Sequence, residues 1–275
     1  MAARAFIISV AFLLFTAPLM PLQALFVNTS VRLARWLPRR YHRAVCRILG
    51  LRITVHGTPL VTEPHLIAAN HISWLDIPVF SAVLPVSFIA KREVSGWPFF
   101  GTLARLQRCL FVDRDRRAAT GQFRAAMQQR LAEHDILVLF PEGTSGDGNR
   151  VLPFRSALMG AASMDISPAP GAAPRPVAVQ PVSIAYTHLN GLPMGRRNRP
   201  LFAWYGDMEI LPHIWQALKA GPVDVTVEFH PPVSIEQLGD RKALTRHCEE
   251  VIRNGLIAAN SGRRADVPVR PGGTG

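Results

Sequence analysis

The sequence predicts an α/β fold with a mostly parallel central sheet and flanking helices, preceded by an N-terminal membrane helix or helices. Three observations lead to this prediction: strand and helix patterns alternate along the body of the chain, an uncharged apolar run precedes them, and polar motifs directly follow two apolar strands. Such alternation is typical of parallel sheets covered by helices. We divide the chain into a membrane anchor with a basic helix (1–50), an α/β domain (51–260) and a disordered tail (261–275).

The apolar run covers residues 5–27 and contains no charged residue. A helix needs about 20 residues to cross the hydrocarbon core, so this run is long enough to span a membrane. A kinked or re-entrant hairpin is an alternative, because Pro18 and Pro21 interrupt the second half. A cleaved signal peptide is a further alternative, although no small-residue cleavage site followed by a polar stretch is evident. The arginines that follow the run predict a body facing the cytoplasm.

A basic segment at residues 31–49 predicts an interfacial helix broken at Pro38, with apolar residues on one face and arginines on another. The alternative is an ordinary domain helix with a solvated face. Residues 1–50 hold seven Arg and no Asp or Glu, within a chain of net charge +12. This concentration of charge beside the apolar run favours membrane lipids as partners and argues against nucleic acid.

Strand and helix patterns then follow one another in the body. Strands are predicted at residues 51–55, 66–69, 86–90, 110–112, 136–140, 177–186 and 223–229. Helices are predicted at residues 74–83, 99–106, 116–133, 156–164 and 241–259, with a surface loop at 167–176. Open sheets of this type bind their ligands beyond the carboxyl ends of the strands, which is where we look for a site.

The first candidate motif, Asn70-His71 with Asp76, follows the strand predicted at 66–69. Imidazole is the side chain best suited to accept a proton near neutral pH. Asp76 could bond the other ring nitrogen and stabilise the imidazolium. Such a pair requires His71 on a turn or at a helix N-terminus, with Asp76 one turn into the helix. The spacing alone is weak evidence, since Asn70 could cap a helix whose Asp76 is simply solvated.

The second candidate motif, Glu142-Gly143-Thr144, follows the strand predicted at 136–140. Glycine permits positive φ and close approach of the backbone to a ligand. Thr144 can donate a hydrogen bond, and Glu142 can accept one from a substrate hydroxyl. The alternative is an ordinary turn with an exposed Glu.

Cations lie between and after these motifs: Lys91, Arg114 and Arg155 each follow a strand or a short apolar segment. Arginine suits forked recognition of phosphate, although most basic residues are simply solvated. The three cysteines form no C-x-x-C pair and no zinc-ligand spacing occurs, so we expect no metal. Neither a G-x-S-x-G elbow nor a Walker loop is present in the sequence.

The combined pattern resembles the glycerolipid acyltransferases, and in particular the bacterial 1-acyl-sn-glycerol-3-phosphate acyltransferases. Four blocks occur in family order over residues 65–185. They are Asn70-His71 with Asp76; Lys91-Arg92-Glu93 through Trp97-Pro98-Phe99-Phe100-Gly101 to Phe111-Val112-Asp113-Arg114; Phe140-Pro141-Glu142-Gly143-Thr144 with Leu152-Pro153-Phe154-Arg155; and Val179-Gln180-Pro181-Val182.

The resemblance implies transfer of an acyl chain from acyl-CoA or acyl-carrier protein, as co-substrate, to the 2-hydroxyl of a lysophospholipid, with no cofactor. His71 would be the general base and Asp76 its orienting partner. Acceptor binding would fall to Arg114, Glu142, Gly143 and Thr144, helped by Asn70, Lys91 and Arg155.

One departure concerns the acceptor. The third family block usually reads F-P-E-G-T-R-S, and Ser145 stands at its arginine position. Serine cannot supply a fork for phosphate. We expect 1-acyl-sn-glycerol-3-phosphate as acceptor and phosphatidate as product. The alternative is lyso-ornithine lipid, an aminolipid without phosphate that a close branch of the family acylates. A membrane-anchored lipid-binding protein without catalysis is an alternative of another class.

Overall fold

The computed structural model describes residues 1–112, 119–166 and 173–263. Its strands are β1 (Leu51–His56), β2 (His65–Ala69), β3 (Val86–Lys91), β4 (Leu110–Val112), β5 (Ile136–Leu139), β6 (Asp165–Ile166), β7 (Arg175–Pro176), β8 (Ala178–Leu189), β9 (Leu192–Pro193) and β10 (Val223–Phe229). Its α-helices are α1 (Ala2–Thr29), α2 (Val31–Leu49), α3 (Asp76–Val83), α4 (Phe100–Leu106), α5 (Ala119–Ala132), α6 (Ile210–Ala220), α7 (Ile235–Leu238) and α8 (Arg241–Asn260).

A central sheet has the strand order β1–β10–β8–β2–β5–β3–β4, and β9 pairs with β8. The pairs β1–β10, β8–β2, β2–β5, β5–β3 and β3–β4 are parallel, while β8 runs antiparallel to β10 and β9. Every residue of β2 and β5 is buried, as expected for strands covered on both faces. The predicted α/β class with a mostly parallel sheet is confirmed.

The two candidate motifs leave the sheet side by side. β2 and β5 are adjacent parallel strands in register, with Ala68 opposite Leu139. Their carboxyl ends therefore meet at the same edge of the sheet, and the loops beginning at Asn70 and Phe140 come together there. This adjacency brings into contact two segments that are 71 residues apart in sequence, at His71 and Glu142.

The N-terminal helices differ from the prediction at their prolines. α1 is a single helix through Pro18 and Pro21, and α2 continues through Pro38, so the predicted break at Pro38 is wrong. A proline lacks the N–H that would bond the carbonyl four residues earlier. For Pro38 that carbonyl belongs to Ala34, and the Gln23 side chain of α1 donates to it at 3.0 Å. A neighbouring helix thus replaces the missing bond.

Both N-terminal helices are joined to the body. Arg4 donates to the Leu218 carbonyl of α6, and Gln23 also donates to the Leu106 carbonyl of α4 at 2.9 Å. In α2, Arg35 forms an ion pair of 2.6 Å with the buried Asp135, so part of the predicted basic face points into the protein. Ala5, Val45 and Leu49 belong to the same apolar core as β2 and β5.

Other boundaries changed by small amounts. The helix predicted to start at 74 starts at Asp76, and the one predicted at 156–164 is a short 3-10 segment, Leu158–Ser163. Helices α6 and α7 were not predicted. Residues 116–118 of the predicted helix 116–133, residues 167–172 of the predicted loop, and residues 264–275 of the predicted tail lie outside the described residues.

Candidate active site

The first motif forms a histidine–carboxylate pair at the start of α3. Asp76 is the first residue of the helix, and its Oδ2 accepts the His71 Nδ1–H at 2.7 Å. The same oxygen accepts the backbone N–H groups of Ile72 at 2.7 Å and Ser73 at 3.0 Å. The turn between the two residues is therefore held by the carboxylate itself, which explains how a spacing of five brings them together.

The imidazole is fixed on its face as well as at its edge. The ring of His71 stacks on that of Phe140, with centroids 4.1 Å apart and planes 13° apart. Nδ1 is occupied by Asp76, so in the neutral ring the lone pair lies on Nε2. The side chain of Asp76 has no exposed surface, whereas 19% of that of His71 is exposed. This arrangement leaves one basic nitrogen available to a substrate.

Glu142 holds the backbone of the histidine. Its Oε1 accepts the His71 N–H at 2.9 Å, and its Oε2 accepts the Leu152 N–H at 3.0 Å. The His71 carbonyl in turn accepts the Gly146 N–H at 2.8 Å. Burial raises the pKa of Glu142 to about 8, and this effect outweighs the two N–H donors that favour the charged form. Glu142 thus joins the two loops, and contact between it and a substrate hydroxyl stays a prediction.

Gly143 and Thr144 stand beside His71 at a large cavity. Gly143 adopts φ +74°, the left-handed conformation that favours glycine, and its N–H bonds the Phe140 carbonyl at 3.1 Å. Both residues line the cavity together with His71, as does Ser145. Ser145 Oγ donates to the Trp204 carbonyl, so the hydroxyl at the family's arginine position is engaged within the protein.

The cavity has a volume of about 1090 Å³ and extends from His71 between the N-terminal helices and the body. This is slightly above the range of about 300–1,000 Å³ that is usual for small-molecule sites. Its wall is mostly apolar and comes mainly from five helices, α1, α2, α3, α4 and α6, and from strand β3. The lining includes Phe12, Leu19, Val45, Leu103 and Ile214. A space of this shape and lining suits a long hydrocarbon chain that ends at the histidine.

The remaining predicted residues occupy three different positions. Lys91 lines the cavity beside Glu93. Asn70 is buried behind it, where its side-chain amide exchanges two hydrogen bonds, of 3.0 and 2.9 Å, with the backbone of Ile184 in β8. Arg155 is exposed and does not line the cavity, and Arg114 lies outside the described residues. Substrate contacts for Asn70, Arg114 and Arg155 therefore stay predictions.

Two features of the site were missed in the sequence. The hydroxyl of Tyr186, in β8, donates to Asp76 Oδ1 at 2.7 Å, across 110 residues of chain. Trp204 contacts both motif loops through its backbone, since its N–H bonds the Ile72 carbonyl at 2.9 Å and its carbonyl accepts from Ser145. No local spacing links these residues to the motifs, and only the strand order predicts that β8 lies next to β2. In the described ranges, no cluster of three or more His, Cys, Asp or Glu side chains could hold a metal ion.

Comparison with known proteins gives consistent matches. The family model described as Acyltransferase matches residues 52–185. The lyso-ornithine lipid O-acyltransferase of Brucella abortus is 47% identical over 94% of this chain and 96% of its own length, and that of Rhizobium meliloti is 43% identical over 89% and 83%. The 1-acyl-sn-glycerol-3-phosphate acyltransferase of Neisseria meningitidis is 31% identical over 77% of each chain.

A solved structure shares the fold. The crystal structure of the 1-acyl-sn-glycerophosphate acyltransferase from Thermotoga maritima superposes with a TM-score of 0.63 and covers 96% of each chain, at 20% sequence identity. The superposition includes the N-terminal helices as well as the sheet, given that coverage. At this identity the likeness concerns the fold and does not extend to the acceptor.

Proposed function

The chain belongs to the acyltransferase family, and we propose that its acceptor is lyso-ornithine lipid, whose free hydroxyl it esterifies with an acyl chain from acyl-CoA or acyl-carrier protein. It is an enzyme of the group that acylates lysolipids. The sequence led us to expect 1-acyl-sn-glycerol-3-phosphate as the acceptor. Four relatives named for lyso-ornithine lipid are 33–47% identical to this chain, and the Brucella and Rhizobium proteins stand at the top of that range. The Neisseria relative named for 1-acyl-sn-glycerol-3-phosphate is 31% identical.

The observation that carries the choice of acceptor is the state of Ser145. It stands where the family usually has arginine, and its hydroxyl is turned to the Trp204 carbonyl. Among the described residues that line the cavity, the charged side chains other than histidine are Lys91 and Glu93. One cation and one carboxylate complement a headgroup with one ammonium and one carboxylate better than they complement a phosphate monoester.

The proposed reaction is a single transfer with no acyl-enzyme. His71 Nε2 takes the proton of the acceptor hydroxyl as its oxygen attacks the thioester carbonyl. The carbon–oxygen bond forms, the carbon–sulfur bond breaks, and the leaving thiolate takes up the proton from the imidazolium. Asp76 stabilises the imidazolium between these steps. General base catalysis of this kind is worth about 10²–10⁴-fold.

The enzyme takes its apolar substrates from the membrane with which it associates. The outer side of α1 exposes large apolar residues, while the inner side lines the cavity. The helix is long and apolar enough to cross a membrane. It is nevertheless bonded to the body near both ends, through Arg4 and Gln23. We favour a helix that lies in one leaflet together with the body, at the cytoplasmic side of a bacterial inner membrane, so that lipids enter laterally.

A competition assay tests the acceptor. Lyso-ornithine lipid and lysophosphatidate are presented together to the enzyme in mixed micelles with one labelled acyl donor, with H71A as the blank. We expect the label in ornithine lipid at least tenfold over phosphatidate. Preferential labelling of phosphatidate would instead identify 1-acyl-sn-glycerol-3-phosphate as the acceptor, as the sequence led us to expect. Labelling of neither above the blank would favour a lipid-binding protein without catalysis.

A further inference from the structure

The two oxygens of the Asp76 carboxylate have separate partners. Oδ2 accepts His71 Nδ1–H and two backbone N–H groups, all within 3.0 Å. Oδ1 accepts a hydrogen bond from the hydroxyl of Tyr186 at 2.7 Å. The residue that orients the histidine is therefore itself oriented from a different strand.

The surroundings of Tyr186 keep its hydroxyl protonated, so that it donates a hydrogen bond to Asp76. Tyr186 is 2% exposed in β8, the strand that pairs with β2, and its ring stacks on Phe202 with centroids 6.3 Å apart. Burial, followed by the charge of Asp76, raises its pKa well above the ordinary value, so the hydroxyl keeps its proton. It does not line the cavity, and a substrate therefore does not reach it.

We infer that Tyr186 is a positioning residue of the acyl transfer, whose hydroxyl fixes the plane of the Asp76 carboxylate and takes up part of its negative charge. A carboxylate with a neutral donor on Oδ1 holds the imidazolium less tightly than one without it. The proton taken from the acceptor is then released more readily to the leaving thiolate. This inference rests on His71 acting as the base, as proposed above.

The test is Y186F, which removes the hydroxyl and keeps the ring against Phe202. We expect kcat to fall about tenfold with KM unchanged, because a hydrogen bond to a charged group is lost away from the substrate. The acidic limb of the pH–rate profile should move to higher pH by roughly half a unit, since Asp76 then holds the protonated imidazole more tightly. If the hydroxyl had only a structural role, Y186F would lower the activity by the same factor at every pH.

The matched control is S183A. Ser183 lies on the same strand, three residues away and thus on the opposite face, and its buried hydroxyl is hydrogen-bonded to His230 at 3.1 Å. We expect S183A to lower thermal stability without moving the pH profile. A profile for Y186F that coincides with that of S183A would overturn the inference.

A second comparison uses the double variant D76N/Y186F. If Tyr186 acts through Asp76, its removal has little further effect once the carboxylate is gone, so the double variant should match D76N in kcat. Additive losses would contradict the inference even if Y186F alone proved unstable. Full activity of H71A would instead defeat the proposed function, and the two failures are thereby distinguished.

Discussion

Two histidine–carboxylate pairs among the described residues differ in their surroundings: His71–Asp76 lies at the cavity, and His230–Glu228 does not line it. His71 bonds Asp76 at 2.7 Å and lines the cavity. His230 approaches Glu228 at 3.5 Å and is hydrogen-bonded at Nε2 to Ser183, which gives a Ser–His–Glu arrangement of the kind found in hydrolases. Helix α8 closes over this second pair at Gly255.

The comparison indicates that a histidine hydrogen-bonded beside a carboxylate is not by that alone a catalytic base. In the first pair Nδ1 is used and Nε2 remains for a substrate. In the second, Nε2 is used by Ser183, and the nearest helix leaves no room for even one methyl group: a Cβ at residue 255 would lie 2.3 Å from Ser183 Oγ and 2.9 Å from His230 Nε2. Space beside the second nitrogen is the difference on which we base the proposal that His71 acts as a base and that His230 stabilises the fold.

The largest expected effect comes from exchanging the histidines one at a time. H71A should lower kcat by about 10³-fold or more without unfolding the protein, because it removes the proposed base. H230Q should keep near-normal turnover and lose thermal stability, because it removes buried hydrogen bonds. Acyl transfer and thermal unfolding are measured for both variants. Comparable losses of turnover in the two would abolish the distinction drawn here.

A smaller effect, on stability, should follow from adding a methyl group where α8 packs against the second pair. G255A places a methyl group against Ser183 and His230, and overpacking of this kind costs about 1–3 kcal/mol. The matched control is G96A, where a Cβ meets no atom within 4 Å. Denaturant unfolding compares the two. An unchanged midpoint for G255A would mean that α8 and the second pair can separate at little cost.

A further effect, spread over several pH units, concerns the Glu142 carboxylate. Its pKa of about 8 in the fold lies above the value of an unfolded glutamate, so the native state binds the proton more tightly. The associated stability is fully present below about pH 4.5 and is lost as the pH rises through 8. E142Q cannot titrate, so wild-type protein should lose a few kcal/mol relative to E142Q between pH 5 and 9. Parallel stability curves for the two proteins over this range would contradict the assignment.

The sequence predicted the mostly parallel sheet and a site beyond the carboxyl ends of its strands, because both depend on local patterns. It showed that each motif follows an apolar strand, at 66–69 and at 136–140. That these two strands are neighbours, so that the motifs meet, is a finding of the structure. The pairing of His71 with Asp76 was predicted from the combined motifs and the family resemblance, since the spacing alone is weak evidence. Their contact distance could not be predicted, since it depends on the N–H groups of Ile72 and Ser73 that close the turn.

The parts that could not be predicted depend on distant partners. The sequence shows Pro38 as a helix breaker, and only the position of Gln23 on a neighbouring helix reveals how the break is avoided. It shows Glu142 as an available carboxylate, whereas one oxygen accepts the His71 N–H of the other motif loop and the second accepts the Leu152 N–H, ten residues further along its own loop. In each case tertiary contact satisfies a group that local chemistry would have left free.

Helix α1 has one face in the cavity and another that exposes Phe6, Ile7 and Leu14. If α1 lies in the leaflet as we propose, a single helix separates the surrounding hydrocarbon from the cavity that we propose for the acyl chain. We then expect the packing of the lipid to affect the position of this helix. At saturating substrate, the turnover rate should therefore differ between a fluid bilayer and a gel bilayer. The membrane would then influence the rate of the enzyme that makes its lipids.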